Sequence, residues 1–460
     1  MSRASKASRQ MVTQAEEIGV VAAITHEGEG VVREGKTAFV VGALPGERVR
    51  FRRTKRHKQH DDAQLLEVLE PAADRVVPRC AHFGLCVGCA LQHLDPASQI
   101  AAKQRVLQDN LERIARATPD EWFEPMRGPV WNYRRRARLG VKYVVKKGRV
   151  LVGFRERLAP YVAELDRCEV LSAPAGTLLT PLAEMITTLS IRDRLPQIEV
   201  AVGDNAVAMV VRVLTTPTDS DLATLRSFEA LHGLRFYLQP GGPDTVHRLD
   251  AGPQGRAEEA PLNYRLPAFD LTLDFKPTDF IQVNGAINEA LVSRAVELLD
   301  PGPDSAVLDL YCGLGNFTLA LARKAGRVVG VEGDRELVRR GGENALRNGI
   351  ANAGFHTADL MQPLPGGTRW LDSGGARSYS HVLLDPPRAG AREMLPTVAR
   401  LAPKRVLYIS CHPGSLARDI GIMVHEYGYR LRAAGVLDMF PHTTHVESLA
   451  VLEPASSTRY

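Results

Sequence analysis

The rhythm of apolar positions changes three times along the chain. From Ile18 it consists of short β-branched runs broken by Gly or Pro: Ile18–Ile24, Gly30–Val32, Thr37–Val41, Glu47–Phe51 and Leu65–Leu69. Five such runs in close succession predict a small OB-like β-barrel. Pro96–Arg116 instead carries Ile100, Val106, Leu107, Leu111 and Ile114 at helical spacing. Strand patterns return at Trp131–Leu139, Val141–Val145, Val150–Phe154, Ile198–Val202, Ala206–Val213 and Leu234–Leu238, and Pro240–Pro253 reads as loop. These predict a mostly β central region. From about Asn284 helix and strand alternate: a helix over Ile287–Leu299, then strands Ala306–Leu310, Val328–Glu332, His381–Asp385, Arg405–Ser410 and Ser448–Leu452. Such alternation predicts a doubly wound parallel sheet. The expected domains are a basic arm (1–12), the barrel (13–73), a central domain (74–270) and a Rossmann-like α/β domain (271–460).

Composition narrows the class without naming a function. Of 460 residues, 44% are hydrophobic and 24% charged, the balance of a globular chain with a real core. No run reaches the roughly 18 apolar residues of a membrane span, and the first residues lack the apolar centre of a signal peptide. Cytoplasmic location is therefore expected. The net charge of +5 becomes informative only once located. Arg48, Arg50, Arg52, Arg53, Lys55, Arg56 and Lys58 alternate through one strand and its turn, and Arg134–Arg138 form a second cationic strand beside aromatics. Each reads either as a track for phosphates or as a charge-guarded edge strand.

In doubly wound sheets the ligand sits beyond the carboxyl ends of the strands. There the first strand opens into Asp309-Leu310-Tyr311-Cys312-Gly313-Leu314-Gly315-Asn316-Phe317, a glycine turn that brings backbone close to a ligand. The second strand ends in Glu332, suited to a ribose diol, and Asp359 lies where the third should end, within reach of an adenine. Any one of these acids alone is equally a cap or a solvated loop residue. Together with a turn lacking the full dinucleotide fingerprint, they point to a nucleoside without phosphate, S-adenosylmethionine, with Asp309 as a further polar contact. The fourth strand ends in Asp385-Pro386-Pro387-Arg388, a stiffened carboxylate loop, and the fifth in Ser410-Cys411-His412, which puts a thiol at the rim. Glu447 brings a carboxylate to the same edge just ahead of the last strand.

The motifs Phe280–Asn284, Asp309–Phe317, Gly330–Glu332, Leu384–Arg388 and Tyr408–Cys411 resemble, in order and spacing, those of the RNA uracil-C5 methyltransferases. The resemblance covers nearly the whole chain and extends to a TRAM-like N-terminal barrel. It implies that Cys411 is the nucleophile and Glu447 the base that removes the C5 proton. It further implies that Gln282, Tyr311, Asn316, Glu332, Asp359 and Asp385 line the cofactor or active site. His412 departs from the Asn usual there. The chemistry is coherent on its own terms: thiolate addition at C6 makes C5 nucleophilic, and a base must then remove the C5 proton before elimination. A stacked base hides those atoms, so the target nucleotide must be flipped out.

Cys80, Cys86 and Cys89 cluster, and Cys168 is the one other cysteine outside the methyltransferase motifs. Four thiolates suit zinc or a [4Fe–4S] cluster, and spacing alone leaves both open. The resemblance implies the iron–sulfur cluster. The expected activity is S-adenosylmethionine-dependent methylation of a uridine in 23S ribosomal RNA, with the T-loop uridine of tRNA as the alternative substrate. A non-catalytic RNA-binding protein with a metal site would be the reading of another class, and it predicts loss of Cys411, Glu447 or the glycine turn. All three are present.

Overall fold

The expected barrel is present and closed. The computed structural model describes residues 15–25, 27–157, 159–250, 260–363 and 379–455; the basic arm at 1–12 lies outside them. Around the barrel the strands run Glu16–Ile24, Glu29–Val32, Ala38–Val41, Asp61–Glu70, Arg48–Arg56. Alternation turns Val21, Val32, Val40, Val49, Phe51 and Ala63 inward, where they form one apolar cluster.

The chain divides into two compact units, Met1–Ala101 with His442–Thr444, and Ala102–Pro441 with His445–Tyr460. In the first, the barrel is followed by the cysteine loop, folded on local bonds from Phe83 N to the Cys80 carbonyl (3.1 Å) and from Cys86 N to the His82 carbonyl (3.2 Å). Gln99, fully buried, donates to the carbonyls of Leu91 and Leu94, and its Oε1 accepts from His442 N at 2.8 Å.

The central part of the second unit is α/β, which corrects the mostly β expectation. Its six-stranded sheet runs His247–Arg248, Leu234–Gln239, Val207–Arg212, Gln197–Val202, Arg136–Val144, Arg149–Gly153. Two further helices, Leu179–Thr188 and Asp219–His232, belong to it. The second links the parallel pair Val207–Arg212 and Leu234–Gln239, as a parallel connection demands. A capping box starts it, with Thr218 and Asp221 exchanging side-chain and backbone bonds, and Gly233 at φ 63° ends it. The cationic strand begins only at Arg136. Ahead of it, Arg134 forms isolated bridges to Asn284 and Leu171, and Arg135 N donates to the Val283 carbonyl at 2.8 Å.

The large sheet has eight strands in the order Ala353–Thr357, Arg327–Glu332, Ala306–Leu310, His381–Leu384, Arg405–Ser410, Glu447–Pro454, Tyr429–Leu437, Glu121–Trp122. The first five are parallel and doubly wound as expected. Tyr429–Leu437 and Glu447–Pro454 are instead an antiparallel hairpin, its second strand antiparallel to Arg405–Ser410. The connection between them is too short to cross over the sheet, so the chain can only turn back. The helix Gly285–Leu299 is capped by Asn284, whose side chain accepts from Ile287 N.

Candidate active site

The glycine turn grows from a strand buried along its whole length, Ala306–Leu310, and bends through Tyr311 (φ 66°), Gly313 (φ 56°) and Gly315 (φ 98°). A Cβ at Gly315 would stand 3.0 Å from the Phe355 ring, so glycine is required there for space as well as for its positive φ. Glu332 completes the turn: one carboxylate oxygen accepts from Gly313 N (3.0 Å), the other from Gly333 N (2.7 Å) and Asp334 N (3.1 Å). Backbone donors thus fix this partly exposed carboxylate while leaving lone pairs for a diol. Tyr311 donates through its hydroxyl to the Leu360 carbonyl at 3.1 Å, and burial, reinforced by Asp419, Glu332 and Asp359 nearby, pushes its phenol upward. Asp359 is exposed just past the third strand, where it accepts from Met361 N at 2.9 Å.

One residue of this turn differs from expectation. Asp309 is fully buried, and its Oδ2 accepts from Thr318 Oγ1 at 2.6 Å, so it braces the start of the following helix instead of meeting a nucleoside. Burial, with Asp385 and Glu332 adding repulsion, raises its carboxyl to about 7. Cys312 is buried, its thiol pushed up by burial, and acts as a small apolar filler. Asn316 is spoken for by protein: its Oδ1 accepts from Tyr264 (2.9 Å) and Asn288 (3.0 Å), and its Nδ2 donates to Asn288 Oδ1 (2.9 Å). Tyr264 and Asn288 were not legible as site residues, since neither falls in a motif.

The reacting edge is set by register. Ser410 and Ser448 are partners across the antiparallel strands Arg405–Ser410 and Glu447–Pro454, so Cys411 and Glu447 are the next residues at one end of that pair. Cys411 is partly exposed; burial, then the acids Glu447 and Asp385, raise its thiol to about 11, while Arg388 opposes the rise. Glu447 is buried, and burial with Asp385 nearby holds its carboxyl well above the usual range, which makes its ionised form a strong base. Asp385 itself is raised to about 7 by burial and then by Glu332, and Gln282 Nε2 reaches its Oδ2 at 3.5 Å. Arg388 meets His445 Nδ1 at 3.3 Å. His412, where the family it resembles usually carries Asn, caps the helix Pro413–His425, its Nδ1 accepting from Ser415 N at 3.1 Å.

The cationic strands are mostly matched by acids on neighbouring strands. Arg48 pairs with Glu70 (3.1 Å), Arg50 with Glu67 (3.5 Å), Arg52 with Glu16 (3.1 Å) and Arg53 with Asp61 (3.0 Å). Arg135 pairs with Asp204 (2.8 Å) and Arg138 with Glu199 (2.9 Å). Of the two readings left open by the sequence, these pairs favour strands whose charge is matched by neighbours. Lys55, Arg56 and Lys58, at the turn of the barrel hairpin, are exposed and have no ion pair among the described residues.

None of the six cysteines is in a disulfide, and Cys80, Cys86, Cys89 and Cys168 are partly exposed. Gly88 N donates to Cys86 Sγ at 3.2 Å, the type of amide–sulfur bond that favours thiolate. Among the described residues, possible ligand atoms of His57, His60 and Asp62 lie within 4.8 Å of one another.

Residues 266–455 match the tRNA (uracil-5-)-methyltransferase family. Proteins named 23S rRNA (uracil(1939)-C(5))-methyltransferase RlmD are similar over nearly the full length. The one from Alkalilimnicola ehrlichii is 51% identical over 94% of this chain and 95% of its own, and that from Stenotrophomonas maltophilia K279a 50% over 94% and 95%. The crystal structure of Pyrococcus abyssi tRNA (uracil-54, C5)-methyltransferase with S-adenosyl-L-homocysteine superposes with a TM-score of 0.71, covering 95% of this chain and 100% of that one. At 23% identity that likeness speaks for the fold alone. The full-length relatives make the class that of the RNA uracil-C5 methyltransferases. Within that class the chain belongs to the family of the 23S rRNA RlmD enzymes. No helix among the described residues is long and apolar enough to cross a membrane.

Proposed function

We propose that this chain methylates C5 of the 23S ribosomal RNA uridine for which its relatives are named, position 1939, using S-adenosylmethionine. The observation that carries the mechanism is the Ser410–Ser448 register, which brings the Cys411 thiol and the Glu447 carboxyl to adjoining strand ends beside Asp385. Action on ribosomal RNA implies the cytoplasm.

Glu332 would hold the ribose diol, Tyr311 and Asp359 the adenine side, and Gln282 with Asp385 the inner rim, while Asn316 shapes the turn from behind. When bound, S-adenosylmethionine supplies an electrophilic sulfonium methyl. Cys411 gives up its proton to solvent, and the thiolate adds to C6 of the flipped uracil, moving the C5–C6 electron pair into an enolate over C5 and the C4 carbonyl oxygen. C5 takes the methyl group; Glu447 then removes the C5 proton, and the C6–S bond breaks to restore the thiolate. Asp385 and Gln282 orient the ring edge. Exposed Lys55, Arg56 and Lys58 on the barrel, which resembles a TRAM domain, would grip flanking phosphates.

Cys80, Cys86, Cys89 and Cys168 are the proposed ligands of a [4Fe–4S] cluster with a structural role. The amide donated to Cys86 Sγ supports a thiolate donor set, and the likeness to the RNA uracil-C5 methyltransferases favours iron–sulfur over zinc. Protein purified without oxygen should carry about four irons and a brown chromophore; zinc in place of iron would overturn the assignment.

The test of the mechanism uses target RNA carrying 5-fluorouridine, whose fluorine cannot leave as a proton. A covalent protein–RNA adduct should form with wild type and be absent from Cys411→Ala. Methylation of ordinary RNA by a protein that never traps the fluorinated one would sink thiol addition. Offering a 23S fragment and a tRNA transcript together reads out the substrate: methyl label on the tRNA would overturn the ribosomal assignment.

A further inference from the structure

Glu447 is delivered by the loop that follows the strand Tyr429–Leu437, and one buried cation holds that loop. Lys103, on the helix Pro96–Asn110, is 2% exposed, and its Nζ donates to Asp438 Oδ1 at 2.7 Å and to the Phe440 carbonyl at 2.9 Å. Asp438 is 4% exposed, so both charges have left water. The next carbonyl, Pro441, accepts from the buried Tyr133 hydroxyl at 3.0 Å, and Asp438 N donates to the Met126 carbonyl at 2.9 Å. The field of Lys103 extends along the loop: with burial, Arg388 and Arg134, it disfavours protonation of His445, two residues before Glu447.

Burying an ion pair is a poor way to gain stability, because an apolar pair of similar volume packs as well without the cost of desolvation. What the pair supplies is a fixed position. An ammonium with three donors, shared between a carboxylate and a carbonyl two residues on, pins the loop at both points. The hydrogen bonds and ion pair of Lys103 go to Asp438 and the Phe440 carbonyl and not to Cys411, Glu447 or Asp385, so it is not a candidate for chemistry itself.

We propose that Lys103 is a positioning residue for the base: by clamping Asp438 and the Phe440 carbonyl it fixes the loop that aims Glu447 at the C5 proton. This rests on the mechanism given above, in which thiol addition and methyl transfer precede proton removal. Loss of Lys103 therefore slows the last stage and spares the first two.

The experiment is a single-turnover reaction of Lys103→Met with ordinary target RNA and methyl-labelled S-adenosylmethionine, resolved on a denaturing gel. Methyl-labelled RNA still linked to protein should accumulate, while turnover falls on the order of 10- to 100-fold, the scale of a misplaced catalytic group, with KM for either substrate little changed. Lys103→Met/Asp438→Leu removes both charges together and keeps the fold testable should the single variant misfold. Linked, methylated RNA from a folded variant supports the proposal. Wild-type turnover by either folded variant overturns it, as does an equal loss in adduct formation on 5-fluorouridine RNA. If wild type itself fails to trap the fluorinated RNA, the mechanism fails, which separates that result from a failure of the positioning role.

Discussion

Ser448 donates its hydroxyl to the Ser410 carbonyl at 3.2 Å, a side-chain bond laid across the same residue pair that the strands bring into register. That double tie fixes the two strand ends from which Cys411 and Glu447 project. Glu447→Gln keeps the shape and removes the base. Methylated RNA should then remain linked to Cys411, with turnover lowered about 10²- to 10⁴-fold. Free methylated product at the wild-type rate would assign proton removal to another group.

The Cys411 thiol, raised to about 11, is overwhelmingly protonated in the free protein at neutral pH. Raising the pKa of an acid favours its neutral form, so thiolate appears only as pH climbs toward that value. Alkylation of Cys411 by iodoacetamide should accelerate about tenfold per pH unit between roughly 7 and 10, with no plateau in that range. Asp385→Asn removes one of the acids that raises it and should speed alkylation at pH 8; Arg388→Met should slow it. A plateau near neutral pH would show an already activated thiol.

His412 caps its helix through an unprotonated Nδ1, and burial with Arg388 and Arg418 nearby lowers its pKa from 6.5. A histidine with a depressed folded pKa contributes stability that is present above its unfolded value and lost as pH falls through the folded one. His412→Ala should cost about 1 kcal/mol of local stability, read as faster amide exchange at Ser415 and Leu416. His412→Asn should retain protection and lose its dependence on pH below about 6.5.

Tyr264→Phe deletes the hydroxyl that Asn316 accepts, without emptying the space of the ring. The expected result is a several-fold rise in KM for S-adenosylmethionine with kcat largely kept, since a net hydrogen bond contributes about 1 kcal/mol and the turn is a binding element. An unchanged KM would mean that Asn288 alone holds Asn316.

Local signals in the sequence carry the elements, whereas long-range pairing is not written in consecutive residues. All five barrel runs are strands, and the strand-end carboxylates Glu332, Asp359 and Asp385 sit at the ends expected of them, because alternation and strand ends are written in consecutive residues. The helix Asp219–His232 is announced in the sequence only by its capping box, Thr218 and Asp221. The strand Tyr429–Leu437 is hard to read from sequence because its later half, Ala433–Leu437, is buried without a break and loses its alternation. Nothing local ties Arg135 to Asp204 or Lys103 to Asp438, so cations that satisfy internal acids read as open ones until the fold brings their partners in.

The short strand Glu121–Trp122 runs beside Tyr429–Leu437, and the contact is longer than two residues. Phe123 N donates to the Ala434 carbonyl and Met126 N to that of Val436, while Asp120 pairs with Arg430 and Arg432. A chain trimmed to the part that matches the family, 266–455, keeps both reacting residues and the whole glycine turn but strips this cover. Its outer strand would then offer a row of bare amides and carbonyls to any other chain, and such a fragment should self-associate edge to edge even though every residue of the chemistry is in it.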